Sequence, residues 1–199
     1  HYTLMNSIEL SSWSSLHQNG FTGSLIGANA NVVISNLTQP LFKNIASEGK
    51  VSSLTLIGQA TGGGMVADEN AGEISNITIM VDSSEQSIQP SSVTGGIIRD
   101  EQTYLGGAVG YNTGKIINVN VEGVTVGNST NGYVGGIVGY NSGTISNSKF
   151  EFYIFGTNSS TYTNTISGAF AGGIVGYANG GTIQNTYAYN YNLKNTTED

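Results

Sequence analysis

The hexapeptide Gly-Gly-Ile-Val-Gly-Tyr occurs twice in this chain, at residues 135–140 and 172–177, and a third copy at 106–111 differs only by Ala108 in place of isoleucine. Each copy is followed by a turn and a β-rich run. A segment that recurs this faithfully implies an architecture in which one local packing problem is solved again and again, because a single such unit has no partner for its own apolar face.

The copies extend beyond the hexapeptide. Gly-Gly-Ala-Val-Gly-Tyr-Asn-Thr-Gly-Lys-Ile-Ile-Asn runs over 106–118, Gly-Gly-Ile-Val-Gly-Tyr-Asn-Ser-Gly-Thr-Ile-Ser-Asn over 135–147, and a copy one residue longer over 172–185. Weaker relatives stand at 63–76, 41–53 and 24–36, the last two without the double glycine. Six units result, anchored on Ile34, Val51, Ile74, Ile116, Ile145 and Ile183, and the anchors are 17, 23, 42, 29 and 38 residues apart. A constant core with variable spacers predicts coils that carry loops of different size, unlike the even period of helical-repeat arrays.

Asn-Thr-Gly, Asn-Ser-Gly and Ala-Asn-Gly-Gly stand where the chain must reverse, and glycine and asparagine are the residues that tolerate positive φ. The runs 115–126 and 144–155 alternate β-branched or aromatic residues with polar ones, the period of a half-buried strand. Helical spacing is confined to a short stretch near Ser11 to Leu16. These features predict an all-β chain, a parallel β-solenoid with irregular loop insertions. It is read as one domain over 1–199: N-terminal rungs in 1–60, weaker rungs with an insertion in 61–104, and three strong repeats in 105–199. With rungs about 4.8 Å apart, six to eight of them make a rod roughly 30 to 40 Å long.

Within each unit the double glycine would let neighbouring rungs or a bend approach closely. The asparagine two residues after the anchor (Asn36, Asn76, Asn118, Asn147, Asn185) is expected to stack as an internal ladder, each amide bonding to the next. Tyr111, Tyr140 and Tyr177 recur at equivalent positions. They are expected to pack over the glycine pairs, with an aromatic stripe for sugar stacking as the alternative.

The three strong copies resemble the GLUG motif of bacterial and protist surface proteins. These include filamentous, adhesin-like β-helical proteins and non-catalytic regions of some secreted immunoglobulin-A-cleaving metalloproteases. The N-terminal stretches around Ile8–Trp13, 21–25 and 34–42 are similar to the segment that leads into such repeats, so the resemblance covers most of the chain. It departs at 81–103, an excursion or degenerate rung containing Gly95-Gly96-Ile97-Ile98. The resemblance implies a right-handed coil that serves as a scaffold, and it says little about activity.

Composition narrows the function classes. With 29 glycines and only 2 prolines, the chain suits packed turns better than a flexible linker. The formal charge is -7 and Lys plus Arg total only 6, without a cluster, which argues against nucleic acid and a polybasic membrane anchor. No apolar run approaches the roughly 20 residues of a transmembrane helix. The absence of cysteine removes disulfides and thiolate metal sites. The chain begins at His1, which suggests a processed product or part of a longer polypeptide.

Catalysis in a β-helix would need clustered carboxylates. Asp68 and Glu69, Asp82 and Glu85, and Asp100 and Glu101 beside Arg99 are read as solvated turn carboxylates. His1 and His17 match no triad or zinc pattern, so no catalytic residue, metal or cofactor is expected. Of five Asn-X-Ser/Thr sequons, Asn128, Asn158 and Asn195 lie in spacers or the tail and are the expected glycan acceptors. Asn36 and Asn76 are disfavoured because the ladder would bury them. The expectation is a non-enzymatic extracellular or cell-surface structural protein. Its partners would be other copies stacked end to end or neighbouring modules of a longer chain. An adhesin binding glycans or host proteins through spacers 127–132 and 156–167 is the alternative.

Overall fold

A computed structural model describes residues 1–10, 14–16, 19–29, 31–81, 91–127, 132–151 and 164–195. Regular structure among them is entirely β-strand. Every strand pairing is parallel except one hairpin, in which Ile97–Arg99 runs against Gln102–Gly106. The helical stretch expected near Ser11 to Leu16 does not form among the described residues; Leu16 instead bridges Phe42 in parallel fashion.

The repeat becomes a coil of the solenoid. One coil passes through strands Gln102–Gly106, Val109–Asn112, Lys115–Glu122 and Val124–Gly127. The next coil lays Gly132–Gly135, Val138–Asn141, Thr144–Ser146 with Lys149–Glu151, and Asn164–Gly168 on those strands. Equal positions pair: Val109 with Val138 and Val175, Ile116 with Ile145 and Ile183, Val126 with Ile166 and Leu193. The spacers 128–131 and 152–163 fall between these strands, so insertions change the length of a coil without changing its register.

Stacking seals the apolar columns. Val51, Ile74, Ile116 and Ile145 are fully buried in one, and Ala67, Val109 and Val138 in another. Each sealed aliphatic side chain contributes roughly 1.5–3 kcal/mol. The anchor column continues upward through Leu25 and Tyr2, and Ile34 is not part of it. Ile34 pairs with Ile8 and Leu56 in the neighbouring column. The 17 residues between Ile34 and Val51 are too few to circle the solenoid, whereas Leu25 precedes Val51 by 26. Because strand Lys50–Gly62 bends through both columns, one full coil resembles two shorter units in the sequence.

Both glycines of the repeat stand where a side chain has no room. A Cβ on Gly135 would collide with the carbonyl of Val138 in its own coil and with the backbone of Gly176 and Ile174 in the next, so this position permits both the bend and the close approach. A Cβ on Gly136 would collide with the carbonyl of Gly173 in the next coil and with the ring of Phe150. The two glycines together therefore set how closely consecutive coils approach.

Candidate functional site

The asparagines that follow the anchors occupy a corner. Asn76, Asn118, Asn147 and Asn185 have φ of 53°, 54°, 51° and 49°, the left-handed region that asparagine tolerates better than other side-chain-bearing residues. Ser53, at φ 58°, stands in this column where Asn36 was expected. Asn36 has φ 59° as well, but lies at the register shift between Ile34 and Leu37, where its amide donates to Glu9 Oε1 at 2.6 Å. The column is not internal: all five expected ladder asparagines are exposed. Asn118 donates to Asn76 Oδ1 at 2.8 Å and Asn185 to Asn147 Oδ1 at 3.3 Å, on the outside of the molecule. The recurrence reflects the backbone requirement of the corner, which places the amide outward.

An internal ladder exists one turn earlier in each coil. Asn70 Nδ2 donates to Asn112 Oδ1 at 2.8 Å, and Asn112 Nδ2 donates to Asn141 Oδ1 at 2.7 Å, all three side chains being buried. Each amide also reaches the carbonyl of the glycine two residues on, Gly72, Gly114 or Gly143. The ladder ends where Ile45 and Ala178 take the equivalent positions. Its signal was present in the sequence, as an asparagine in the same place of three aligned copies.

The repeated tyrosines stack on one another. Tyr111 and Tyr140 lie parallel with ring centroids 4.0 Å apart, and Tyr177 follows at 5.6 Å. Tyr104, Tyr133 and Phe170, from the strand before the double glycine, form a second column beside them at 5.7 and 4.7 Å. Tyr104 packs edge-on against both Tyr111 and Tyr140. Arg99 closes the upper end, its guanidinium 4.3 Å above the Tyr111 ring and 2.9 Å from Glu69 Oε2. Since Arg99 and Tyr140 cover the faces of Tyr111, this ring offers no platform to a sugar. The column is made by the tyrosines stacking on one another across neighbouring strands.

The stacked pair splits its acidities. Burial, together with the hydrogen bond it donates to Tyr140, pushes the Tyr111 hydroxyl up to about 12. Tyr140 is lowered because Asn179 Nδ2 donates to its oxygen at 2.7 Å and the Tyr111 hydroxyl donates as well. Burial, then the neighbouring Tyr133, raises Tyr104.

Of the carboxylates read from the sequence as solvated turn residues, Asp68 departs from that expectation and Glu69 has an ion-pair partner. Asp68 is buried, ion-paired to Lys43 Nζ at 2.6 Å, and accepts a hydrogen bond from the Gly63 amide. Glu69 is engaged by Arg99 on the surface. Asp100 and Glu101, at φ 50° and 63°, form the exposed turn of the single hairpin. Asp82, Glu85 and His17 lie outside the described residues. Among the described residues no group of three or more His, Cys, Asp or Glu could hold a metal ion.

The sequons divide similarly. Asn128 and Asn158 lie outside the described residues, and Asn195 closes strand Tyr191–Asn195. Asn36 and Asn76 are exposed, which removes the reason for disfavouring them.

The family model for the GLUG motif matches residues 130–152, the coil that contains the second strong repeat. No curated protein and no solved structure matches the chain. The motif occurs in extracellular β-helical proteins, and no helix of the described residues is long and apolar enough to cross a membrane. Matched motif, in-register pairing of the repeated segments and parallel coils agree: the chain contains a GLUG motif at residues 130–152 within a parallel β-solenoid fold.

Proposed function

We propose that this chain is a non-enzymatic structural module of an extracellular fibre or matrix, and that its final coil receives another solenoid coil end to end. The observation that carries this reading is the contrast between equivalent residues. Ile145 has no exposure, whereas Ile183, its neighbour in the last coil, is 44% exposed. Tyr177 and Leu193 are likewise open in that coil, although their register partners Tyr140 and Ile166 are buried one coil above. What covers every earlier coil is a coil of the same pattern. The fitting occupant is therefore the first coil of another copy, whose Tyr2, Met5 and Ile8 are exposed at the opposite end, or the next module of a longer chain. Repetition of a head-to-tail contact of this kind produces a filament.

Light scattering over a concentration series and electron microscopy test the proposal. Self-association that Ile183→Lys with Leu193→Lys abolishes is expected, since two charges would enter an apolar column. A chain that stays monomeric at high concentration, without filaments, refutes end-on stacking between copies.

The adhesin reading has its own support in the placement of the spacers. The described strands on either side of 82–90 and of 152–163 pair with those on either side of Gly123, so both sequence insertions fall at the point where the intervening coil needs a single residue. Binding of a ligand by the monomer, lost on replacing Tyr153 or Tyr162, would favour this reading.

A further inference from the structure

The exposed asparagine corner borders a groove of about 370 Å³ lined by Asn118, Asn120, Asn147, Ser148, Lys149, Asn185 and Tyr187. One wall is the left-handed column Asn118, Asn147 and Asn185. The other consists of Asn120, Lys149 and Tyr187, which pair in register on successive coils. The groove therefore runs along the solenoid axis, and its walls repeat about every 4.8 Å.

Its chemistry is that of hydroxyl recognition. Four carboxamides supply donors and acceptors together, and no carboxylate or arginine lines it. Its one cation is balanced, because Lys149 lies 3.1 Å from Glu122 Oε1 and also bonds to Glu151. Burial works against that ammonium, but the two carboxylates hold it protonated well above the usual lysine range. The amide column is also interrupted inside the groove. Asn118 bonds upward to Asn76 and Asn147 is bonded from below by Asn185, and among the described residues no bond joins Asn118 to Asn147. An acceptor, Asn118 Oδ1, and a donor, Asn147 Nδ2, are thus left on adjacent coils, the complement of a hydroxyl that donates and accepts. At the lower end Tyr187 is 52% exposed and supplies an aromatic ring for an apolar sugar face.

We propose that this groove binds a neutral, extended saccharide chain laid along the solenoid axis, with hydroxyls bridging Asn118 and Asn147 and one sugar ring against Tyr187. No spacer residue lines the groove, and only its lower end, Asn185 and Tyr187, belongs to the final coil, so light scattering separates saccharide binding from end-on stacking. A rigid β-face of this kind would attach the module to a polysaccharide matrix.

The test is calorimetric titration of the intact chain with cellohexaose, chitohexaose and mannohexaose, with hexagalacturonate as the anionic comparison. At least one neutral hexamer should bind more tightly than hexagalacturonate. Tyr187→Ala, and separately Asn118→Gly with Asn147→Gly, should each weaken it at least tenfold. The glycines retain the left-handed corner, and circular dichroism should show the fold unchanged. Tyr153→Ala and Tyr162→Ala should leave binding intact. The proposal is overturned if no neutral hexamer binds at millimolar concentration, if hexagalacturonate binds best, or if binding follows Tyr153 or Tyr162 instead of Tyr187. Light scattering on the same samples reports self-association separately.

Discussion

Replacing Asn112 by alanine is expected to be among the most damaging polar-to-small changes in this chain. The side chain is fully buried, accepts from Asn70 Nδ2 at 2.8 Å, and donates to Asn141 Oδ1 at 2.7 Å and to the Gly114 carbonyl at 3.4 Å. Its loss leaves Asn141 Oδ1 without its ladder donor and Asn70 Nδ2 with only two long contacts, at 3.4 Å, to the Gly72 and Lys115 carbonyls. At about 1–3 kcal/mol for each orphaned buried group, the cost is about 3 kcal/mol. For a chain of this size that corresponds to a Tm lower by about 6–12 °C. Thermal unfolding followed by circular dichroism reads the shift, and hydrogen exchange at Ser142, whose amide bonds to the Asn112 carbonyl, reads local opening between the coils. Asn118→Gly supplies the contrast: it removes one exposed bond at a left-handed corner and should cost about 0.5 kcal/mol or less. Replacing Asn70, Asn112 and Asn141 together by leucine should cost less than three independent losses, because no amide is then left unpaired. Equal Tm shifts for Asn112→Ala and Asn118→Gly, or strict additivity in the triple variant, would refute the reasoning.

Gly136→Ala should lower stability by about 3 kcal/mol or more, since the added methyl meets the Gly173 backbone and the Phe150 ring; failure to accumulate folded protein, or a large Tm loss, is the expected result. Alkali should destabilise the fold through Tyr111, whose raised pKa favours the neutral form. That contribution is complete below pH 10 and is lost as the pH climbs towards 12, with Tyr104 acting in the same direction and Tyr140 in the opposite one. Tyr111→Phe should therefore flatten the fall of Tm between pH 10 and 12. In a glycosylating host, Asn76 should accept a glycan without disturbing the corner, because its ladder bond uses Oδ1 while the sugar attaches at Nδ2; glycopeptide mass spectrometry with Asn76→Gln as control checks this.

The coil and its register were legible because the signals involved are local. Repeated glycines, alternating strands and turn residues recur whatever lies above or below them. The anchor Ile34 was misplaced because one bent strand, Lys50–Gly62, serves two columns, and sequence alignment does not reveal that bend. The asparagine ladders were interchanged for a related reason. Positive φ recruits asparagine at a corner as strongly as burial recruits it to a ladder, and the residue type alone does not separate the two demands. Asn70, Asn112 and Asn141, the last two immediately after the repeated tyrosine, combine the amide with an inward position. The groove beside Tyr187 was not legible at all, since its walls come from residues 118–120, 147–149 and 185–187 on three coils.

The register between successive coils also makes the chain extensible. The segment 106–134 begins at one double glycine and stops just before the next, so it is a complete circuit whose two faces fit almost the same template. A tandem copy of those 29 residues would place Val109 against Val109 and Asn112 against Asn112, the contacts the original already makes with Val138 and Asn141. Lengthening such a rod by gene duplication would require no new interface. The number of coils can then drift freely among descendants while the cross-section stays the same.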